Sequence, residues 1–282
     1  MPDDLLIEQI VRRALVEDIG RGGDVTTNSI VSEDISANAM IVSRRSGVVA
    51  GQAAALATFA LLDPAVTYER LAPDSAAIDA GTSIGRVVGP ARAILTGERT
   101  ALNFLSHLSG IATATGELVE RIQPYRAQIV CTRKTTPGLR TLERAAVVAG
   151  GGALHRYGLD DAVLIKDNHL LLCGGVTQAV TAARQKIGHT MKLEVEIDTL
   201  EQLREALTLS IDAVLLDNMS VATLREAVSI VDGKVTTEAS GAVTPHNVAE
   251  IASTGVDLIS SGWITHSAPA LDFSLEIWPR ST

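Results

Sequence analysis

The side chains best suited to chemistry in this sequence follow directly after short apolar stretches. A charge at the end of one such stretch is often a solvated loop residue, but here four successive stretches end in charge. If these stretches are parallel strands, their carboxyl ends meet at one edge of the sheet, where α/β proteins bind ligands. We therefore predict one shared site, whose catalytic residues are Lys134, Lys166, Glu196 and Asp217.

The residue types at these strand ends indicate a ligand with several negative charges, together with a metal ion. Basic side chains bind anionic groups, whereas two carboxylates suit sugar hydroxyls or a divalent cation such as Mg²⁺, held directly or through water. Two later strands end in small residues, whose backbone N–H groups lie near predicted helix starts and can bind a phosphate. The pattern therefore predicts a phosphorylated sugar bound beside a polycarboxylate. The basic residues are Arg133, Lys134, His155, Arg156 and Lys166, the carboxylates are Glu196 and Asp217, and the small residues are Ser240-Gly241-Ala242 and Ser261-Gly262.

Glu194 shares a strand face with Glu196, because alternate residues of a strand point the same way. If Glu196 faces a barrel axis, Glu194 lies one layer deeper, where a buried carboxylate needs a cation. Lys134 or Lys166 is the natural partner. We therefore predict a structural role for Glu194.

The elements that must position these residues follow a regular pattern from about residue 128. Apolar strand candidates alternate with stretches of helical spacing, such as Leu200, Leu203 and Leu207, which predicts a parallel sheet covered by helices. The number of strands suits a barrel, with room for a further strand that the sequence does not reveal. A doubly wound open sheet stays possible, but no GxGxxG follows the first strand, and we interpret the glycines at 149–153 as a helix C-cap. The predicted strands are 128–132, 162–166, 192–196, 213–217, 234–239 and 257–261.

The first hundred residues show no repeat, and one of their helices raises a question of charge. Thr96 is a plausible N-cap of that helix, which would place Arg99 in the first turn, where the helix dipole disfavours a cation. Either Glu98 offsets this charge or Arg99 reaches an anion, and the sequence leaves both open. Elsewhere in this region, spacing predicts helices over 5–18 and 53–62 and strands over 37–42 and 84–88.

Composition and charge exclude several classes of protein. The chain has 282 residues, 46% hydrophobic and 20% charged, which is typical of a globular protein. The net charge of −9 argues against a nucleic-acid or membrane-surface binder, so an anion must be bound by a local basic segment such as 124–170. The N-terminus does not resemble a signal peptide and the longest uncharged run, 46–62, is too short to span a bilayer, so we expect a cytoplasmic protein. Cys131 and Cys173 stand alone, which favours reduced thiols over a zinc site.

Several long stretches resemble the quinolinate phosphoribosyltransferase family, whose members are also called nicotinate-nucleotide pyrophosphorylases. The match runs in order and nearly from end to end, which makes it specific. The stretches are EDIGRGGDVTT (17–27), ERTALNFLSHLSGIAT (98–113), TRKTTPGLR (132–140), HRYGLDDAVLIKDNH (155–169), LEVE (193–196), LLDN (215–218), EASGAV (238–243) and THSAPALDFSLEI (265–277).

The resemblance implies a reaction, a fold and an assembly. The reaction converts quinolinate and phosphoribosyl pyrophosphate, with Mg²⁺, into nicotinate mononucleotide, pyrophosphate and CO₂ in NAD biosynthesis. The fold pairs an open α/β sandwich, here 1–110 with 267–282, with an incomplete α/β barrel, here 111–266. The assembly is a homodimer or a higher oligomer in which the sandwich of one subunit covers the barrel mouth of the other, so that Arg99 reaches a neighbour's site.

The resemblance also implies roles for individual residues. The quinolinate carboxylates would be bound by Arg99, Arg133, His155, Arg156 and Lys166. Lys134, Glu196 and Asp217 would bind the ribose, the pyrophosphate and its metal, and the turns 240–242 and 261–263 would bind the 5′-phosphate. The complete substrate-binding set is Arg99, Thr132, Arg133, Lys134, His155, Arg156, Lys166, Ser240, Gly241, Ala242, Ser261, Gly262 and Trp263.

The chain departs from the family pattern at three positions. Leu154 stands where Asn is usual, which bears on the orientation of His155. Ala242 stands where Gly is frequent and Trp263 where a small residue is common, and both bear on the geometry of the phosphate turns. No departure removes a charge that the chemistry needs.

Two alternatives stay open at this point. The molybdenum-transport-associated relatives belong to the same superfamily, but they keep the KDNH stretch less faithfully than this chain, where residues 166–169 are intact. The other alternative is a non-catalytic anion-binding protein on the same barrel. Glu196 and Asp217 argue against it, because carboxylates weaken simple anion capture.

Overall fold

The computed structural model of the protein describes residues 4–279, and the chain divides into two compact units. We call them the sandwich unit, made of the residues up to 116, residues 135–151 and those from 268 on, and the barrel unit, made of 117–134 and 152–267. The domain boundaries at 110/111 and 266/267 stay a prediction. The helices are α1 (Asp4–Ile19), α2 (Val25–Ile30), α3 (Gln52–Leu62), α4 (Ala91–Arg121), α5 (Arg140–Ala149), α6 (Asp167–Cys173), α7 (Val176–Arg184), α8 (Leu200–Ala206), α9 (Val221–Val231), α10 (Val248–Ala252) and α11 (Trp263–His266). The strands are β1 (Ser36–Ser43), β2 (Gly47–Val48), β3 (Thr67–Arg70), β4 (Ala77–Ile78), β5 (Ser83–Pro90), β6 (Gln128–Val130), β7 (Val163–Ile165), β8 (Leu193–Ile197), β9 (Ala213–Asp217), β10 (Thr236–Ser240), β11 (Leu258–Ser260) and β12 (Phe273–Pro279).

The sandwich unit is built on an antiparallel sheet of four strands in the order β12-β1-β5-β3. β1 pairs with both β12 and β5, and every second residue of β1 is buried, so that Ala37, Ala39 and Ile41 face the core. The apolar helix α3 contributes Ala55 and Phe59 to the same core. This packing explains why the uncharged run 46–62 folds as a buried element of a globular unit.

The long helix α4 corrects the prediction about Thr96. The helix begins at Ala91, so Thr96 lies within it, and the Thr96 hydroxyl donates a hydrogen bond to Asp24 Oδ2 at 3.0 Å. Arg99 therefore lies in the third turn, beyond the reach of the N-terminal dipole, and its side chain is exposed. The other predicted helices and strands are confirmed, and their ends agree with the structure within two residues.

The barrel unit contains a parallel sheet of six strands in the order β6-β11-β10-β9-β8-β7. The first strand pairs with the last and the others follow in chain order, which is the cyclic order of an α/β barrel and excludes a doubly wound sheet. Within residues 4–279, β6 and β7 do not pair, so the barrel has an open seam there.

Ala153 occupies part of this seam. Its N–H donates to the carbonyl of Ile129 at 2.7 Å, and its own carbonyl accepts from Cys131 N–H at 3.3 Å. The additional strand for which the sequence left room is thus reduced to a single-residue bridge. This bridge matters for the site, because it fixes the chain two residues before His155.

The remaining features of the barrel unit follow from burial on both faces of its sheet. Val214, Leu215 and Leu216 of β9 are all buried, which explains the continuous apolar runs in the sequence. Cys131 is buried and Cys173 is exposed, and neither forms a disulfide. In the sandwich unit, α5 ends at Ala149 with Gly150 as its C-cap, which confirms the interpretation of the glycines at 149–153. Across residues 4–279, the structure contains no helix with the length and apolar character needed to cross a bilayer.

Candidate active site

A cavity of about 560 Å³ lies within the barrel unit, at the carboxyl ends of its strands. The strand order brings these ends together, because neighbouring parallel strands finish at the same edge. Most of the cavity wall consists of residues predicted from the sequence to bind substrate or to act in catalysis. These residues are Thr132, Arg133, Lys134, His155, Arg156, Lys166, Glu196, Asp217, Ser240, Gly241 and Ala242.

The KDNH stretch combines a lysine that lines the cavity with a histidine that holds the lysine's backbone. Lys166 directly follows β7 and precedes α6, and its backbone N–H donates to His169 Nδ1 at 2.9 Å. His169 N–H donates in turn to the Lys166 carbonyl at 2.8 Å. These two bonds fix the backbone of Lys166 and leave its side chain to enter the cavity.

The Lys166 ammonium makes an ion pair in the cavity wall. Its Nζ lies 2.8 Å from Oε2 of Glu196, which lies near the end of the next strand and is 8% exposed. The carboxylate of this charged hydrogen bond is buried, whereas the Lys166 side chain is 48% exposed. Lys166 is therefore held at the point where a ligand carboxylate could compete with Glu196 for it.

Two arginines lie close together in this wall, and the charge of Arg133 disfavours that of Arg156. Burial, and then the charge of Arg133, lower the pKa of Arg156, whose Nη1 donates to the carbonyl of Ala162 at 3.0 Å. Two guanidinium groups in one cavity are best explained by an anionic ligand that binds both. The arrangement therefore favours a ligand that carries a carboxylate or a phosphate group.

The carboxylates predicted to bind metal end neighbouring strands. Glu196 lies near the end of β8, and Asp217 ends β9 and accepts a hydrogen bond from Asn218 Nδ2 at 2.6 Å. Mg²⁺ is commonly held by one or two carboxylates together with waters and substrate phosphates. This donor pair therefore fits Mg²⁺ without a complete protein cage. Metal binding by Glu196 and Asp217 stays a prediction.

The partner of Glu194 differs from the prediction. His155 Nε2 lies 3.2 Å from Glu194 Oε2, whereas the nearest ammonium, that of Lys166, pairs with Glu196. The Ala153 bridge fixes the chain two residues before His155, which lies within reach of Glu194. The partner of Glu194 is thus an imidazole and not a lysine, and its side chain, 13% exposed, is no more buried than that of Glu196, which is 10% exposed.

Four of the predicted substrate-binding residues are not among the residues that line this cavity. Arg99 lies in the sandwich unit, on the exposed face of α4. Ser261 is buried, and its hydroxyl donates to the carbonyl of Val243 at 3.2 Å. Gly262 is close to the site, since a Cβ there would lie 2.9 Å from Lys134 Cδ, and Trp263 begins α11. Their roles in binding substrate stay predictions.

Comparison with known proteins identifies the family. The sequence profile of the quinolinate phosphoribosyl transferase N-terminal domain matches residues 24–109, and that of the C-terminal domain matches residues 111–276. The chain belongs to the quinolinate phosphoribosyl transferase family. The fold, the strand-end cavity and the two domain matches agree.

Curated relatives of this quinolinate phosphoribosyl transferase family member match over nearly its whole length. A probable nicotinate-nucleotide pyrophosphorylase (carboxylating) of Bacillus subtilis is 42% identical over 273 residues, which cover 97% of this chain and 94% of the relative. Quinolinate phosphoribosyltransferase (decarboxylating) 2b, mitochondrial, of Nicotiana tabacum is 40% identical, over 96% of this chain and 82% of the relative. The nicotinate-nucleotide pyrophosphorylase structure from Francisella tularensis superposes with a TM-score of 0.94 at 40% identity, covering 99% of this chain and 98% of the other. The predicted fold class and the predicted family are both confirmed.

Five cavity-lining residues of this family member were not predicted to belong to the site. Leu164 and Leu215 look like ordinary core residues in the sequence, and Ser260 and Asn218 stand beside predicted residues. Glu238 gave the clearest signal, since it interrupts the apolar end of a strand. The sequence shows that Glu238 is a carboxylate, but it does not show that this residue faces the inside of the barrel.

The phosphate turn after β10 contains two residues in the left-handed region. Gly241 has φ +105°, and a Cβ there would lie 2.1 Å from Asn218 Oδ1 and 3.0 Å from the Asn218 backbone nitrogen. Ala242, where the family frequently has Gly, has φ +47°. The turn thus keeps its left-handed conformation despite the alanine, at a cost of about 1–2 kcal/mol for a residue with a Cβ.

Gly241→Ala is expected to lower the free energy of unfolding by about 2 kcal/mol, because it combines left-handed strain with a clash against Asn218. Ala242→Gly is the matched control, since it changes the same turn without a new contact, and should alter stability by less than about 1 kcal/mol. Urea denaturation of the two variants and the native protein measures both values. A Gly241→Ala variant as stable as the native protein would contradict this account of the turn.

Proposed function

We propose that the protein transfers the phosphoribosyl group of phosphoribosyl pyrophosphate to quinolinate and removes one carboxylate, which yields nicotinate mononucleotide, pyrophosphate and CO₂ for NAD biosynthesis. The observation that carries this proposal is the single cavity that gathers two arginines, two lysines and a pair of carboxylates at the strand ends of a family member. The site needs no covalent nucleophile, because positioning and charge stabilisation account for both chemical steps.

Quinolinate is bound by the basic wall of the cavity, which consists of Arg133, Arg156 and Lys166. Its two carboxylates lie on adjacent ring carbons, one of them next to the ring nitrogen, so two planar guanidinium groups can fix the ring through paired hydrogen bonds. Arg133 and Arg156 provide these groups, and Lys166 offers an ammonium from the end of β7. Fixing the ring aims its nitrogen at the ribose.

Phosphoribosyl pyrophosphate is bound by the acidic wall, which consists of Glu196 and Asp217, and by the turn after β10. Glu196 and Asp217 would hold Mg²⁺, which when bound supplies positive charge to the leaving pyrophosphate. The same carboxylates support the positive charge that develops on the ribose as the bond from C1 to pyrophosphate breaks. Residues 240–242 bind the 5′-phosphate through backbone N–H groups. Holding both substrates converts a bimolecular collision into an aligned displacement.

Decarboxylation follows from the positive charge of the alkylated ring nitrogen. The carbon–carbon bond to the adjacent carboxylate breaks, its electron pair stays on the ring carbon beside the cationic nitrogen, and a proton then replaces CO₂. Lys134 and Lys166 stabilise the developing negative charge in a cavity from which the substrate excludes water.

The same proposal includes an assembly and a location. A homodimer or higher oligomer would bring Arg99 of one subunit to the cavity of another, which gives an exposed arginine a function. A cytoplasmic location suits a biosynthetic enzyme whose two cysteines form no disulfide. The names of the curated relatives favour this function over the molybdenum-transport alternative, and the acidic wall disfavours simple anion capture.

The decisive assay compares quinolinate with nicotinate. The purified protein is expected to release CO₂ and pyrophosphate from quinolinate only when phosphoribosyl pyrophosphate and Mg²⁺ are both present. Nicotinate lacks the second carboxylate, so the cationic side chains that bind this group in quinolinate are left without a partner. Turnover should therefore fall by at least about 100-fold. Equal or faster turnover of nicotinate would assign the protein to a different transferase reaction.

A further inference from the structure

A group of three titratable side chains lies at the cavity, and two of them, Glu194 and Glu238, have no role in the steps above. Glu194, His155 and Glu238 form this group, which we call the acid triad. His155 Nε2 lies 3.2 Å from Glu194 Oε2 and 3.6 Å from Glu238 Oε2, and ligand-type atoms of all three residues lie within 4.8 Å of one another. Glu238 is only 2% exposed, and within residues 4–279 its Oε1 meets no hydrogen-bond partner. A buried carboxylate oxygen in this state is costly unless the group is neutral.

The tautomer of His155 shows that the acid triad fits a proton better than a metal ion. The Arg156 backbone N–H donates to His155 Nδ1 at 2.7 Å, so we assign the ring hydrogen to Nε2. A metal at Nε2 would need that hydrogen on Nδ1, where the Arg156 N–H already lies. The Nε2 hydrogen can satisfy one carboxylate, and Glu194 is the nearer of the two.

The charges of the acid triad depend on one proton, which can lie on Glu238 or on His155. Burial, and then the charge of Glu194, raise the pKa of Glu238 to about 7. Burial by itself lowers the pKa of His155, but the hydrogen bond with Glu194 and the charges of Glu238 and Glu194 raise it overall. The two groups therefore share a single proton, and the Nδ1 contact favours Glu238 as its position. With the proton the acid triad carries one negative charge, and without it two.

We propose that Glu238 is a neutral carboxylic acid in the working enzyme and that quinolinate binds only while the acid triad holds this proton. Glu238 is a positioning residue and does not take part in the chemical steps. It shares its proton with His155 and in this way sets the net charge next to the bound quinolinate. The inference rests on the proposed function, because it assumes that the pocket takes a dianion. A second negative charge in the wall would oppose such a ligand directly.

The other charged groups that line this cavity come from the ends of β6 to β9 and from the segment after Ala153. They are Arg133, Lys134, Arg156, Lys166, Glu196 and Asp217. β11 contributes the uncharged Ser260, which lies beside Glu238 in the wall. His155 and Glu238 are the members of the acid triad that line the cavity, so the shared proton changes the charge that a ligand meets there.

The kinetic test follows KM for quinolinate from pH 6 to pH 9. In the native enzyme KM should rise by up to about tenfold per pH unit above about 7, while KM for phosphoribosyl pyrophosphate does not follow the same curve. Glu238→Gln keeps the shape of the side chain but cannot ionise, so the rise should disappear whatever the absolute KM. Glu250→Gln, on an exposed position of α10, is the matched control and should keep the native curve. An identical rise in native enzyme and Glu238→Gln, or a flat native curve, would overturn the proposal.

A second readout uses the ligand-free protein and separates the failure of this inference from that of the proposed function. A carboxyl whose pKa is raised by folding stabilises the protein fully below its ordinary pKa, and this stability is lost as pH rises through about 7. The melting temperature of the native protein minus that of Glu238→Gln should therefore fall between pH 5 and pH 8. A constant difference rejects the neutral acid even if quinolinate is turned over, whereas a falling difference without quinolinate turnover at any pH rejects the proposed substrate.

Discussion

Lys166→Met is expected to lower kcat/KM for quinolinate by about 100- to 1,000-fold. Methionine keeps the length and apolar stem of the side chain but removes the ammonium that binds the ring carboxylate and stabilises the carbanion. It also leaves Glu196, which is 8% exposed, without its partner at 2.8 Å. The Lys166 side chain is 48% exposed, so water screens part of the ion pair, and the expected loss comes mainly from the transition-state contact, worth on the order of 3–4 kcal/mol. Steady-state kinetics of CO₂ release measure the effect.

Two further variants show whether this loss comes from the site. Lys192→Met removes another lysine of the barrel unit, whose ammonium is 77% exposed and pairs with Asp212 at 2.9 Å, and should change kcat/KM by no more than about twofold. Glu196→Gln tests the other half of the pair, and the double variant should lose far less than the sum of the two single losses. A Lys166→Met enzyme with near-native kcat/KM would remove Lys166 from the proposed mechanism.

Mixing two inactive variants is expected to restore activity. Arg99→Ala and Lys134→Ala should each lower kcat by at least about 100-fold, because each removes a cation that the proposed site needs. If Arg99 completes the cavity of a neighbouring subunit, a dimer of one Arg99→Ala and one Lys134→Ala chain contains one intact site. Random exchange of equal amounts produces half such dimers, so roughly a quarter of native activity should return. The measurement is turnover after subunit exchange.

The control for this mixing experiment pairs two variants of the barrel unit. Lys134→Ala mixed with Lys166→Met should stay inactive, because both residues line the same cavity of one chain and no exchange yields an intact site. Exchange itself is followed by mass spectrometry of differently tagged chains. If exchange is complete and the Arg99→Ala and Lys134→Ala mixture remains inactive, the shared-site proposal is wrong.

The barrel and its charged rim could be predicted from the sequence because they depend on local patterns. Each strand is an apolar run buried on both faces, and its first polar residue marks the carboxyl end where ligands bind. Lys166, Glu196 and Asp217 were found in this way, and the structure brings them into one cavity. Parity within β8 also singled out Glu194 as a carboxylate that needs a partner, and the structure pairs it with His155.

The features that were missed depend on contacts between distant segments. His155 became the partner of Glu194 through the bridge at Ala153, a single residue that leaves no periodicity to detect. The start of α4 was misplaced because Thr96 looked like an N-cap, although Pro90, directly before Ala91, is a helix-start signal of its own. The protonation of Glu238 depends on burial and on a neighbouring carboxylate, neither of which the chain order reveals.

Leu215 decides how two very different carboxylates share one wall. Glu196, Leu215 and Glu238 are aligned across three adjacent strands, and Leu215 is 6% exposed. It thus stands in the strand register between Glu196, which pairs with Lys166, and Glu238, which lies beside His155. A leucine side chain has no donor or acceptor, so it offers no hydrogen bond that could join the two acids. That two carboxylates in one cavity keep different partners therefore depends on a residue with no chemistry of its own.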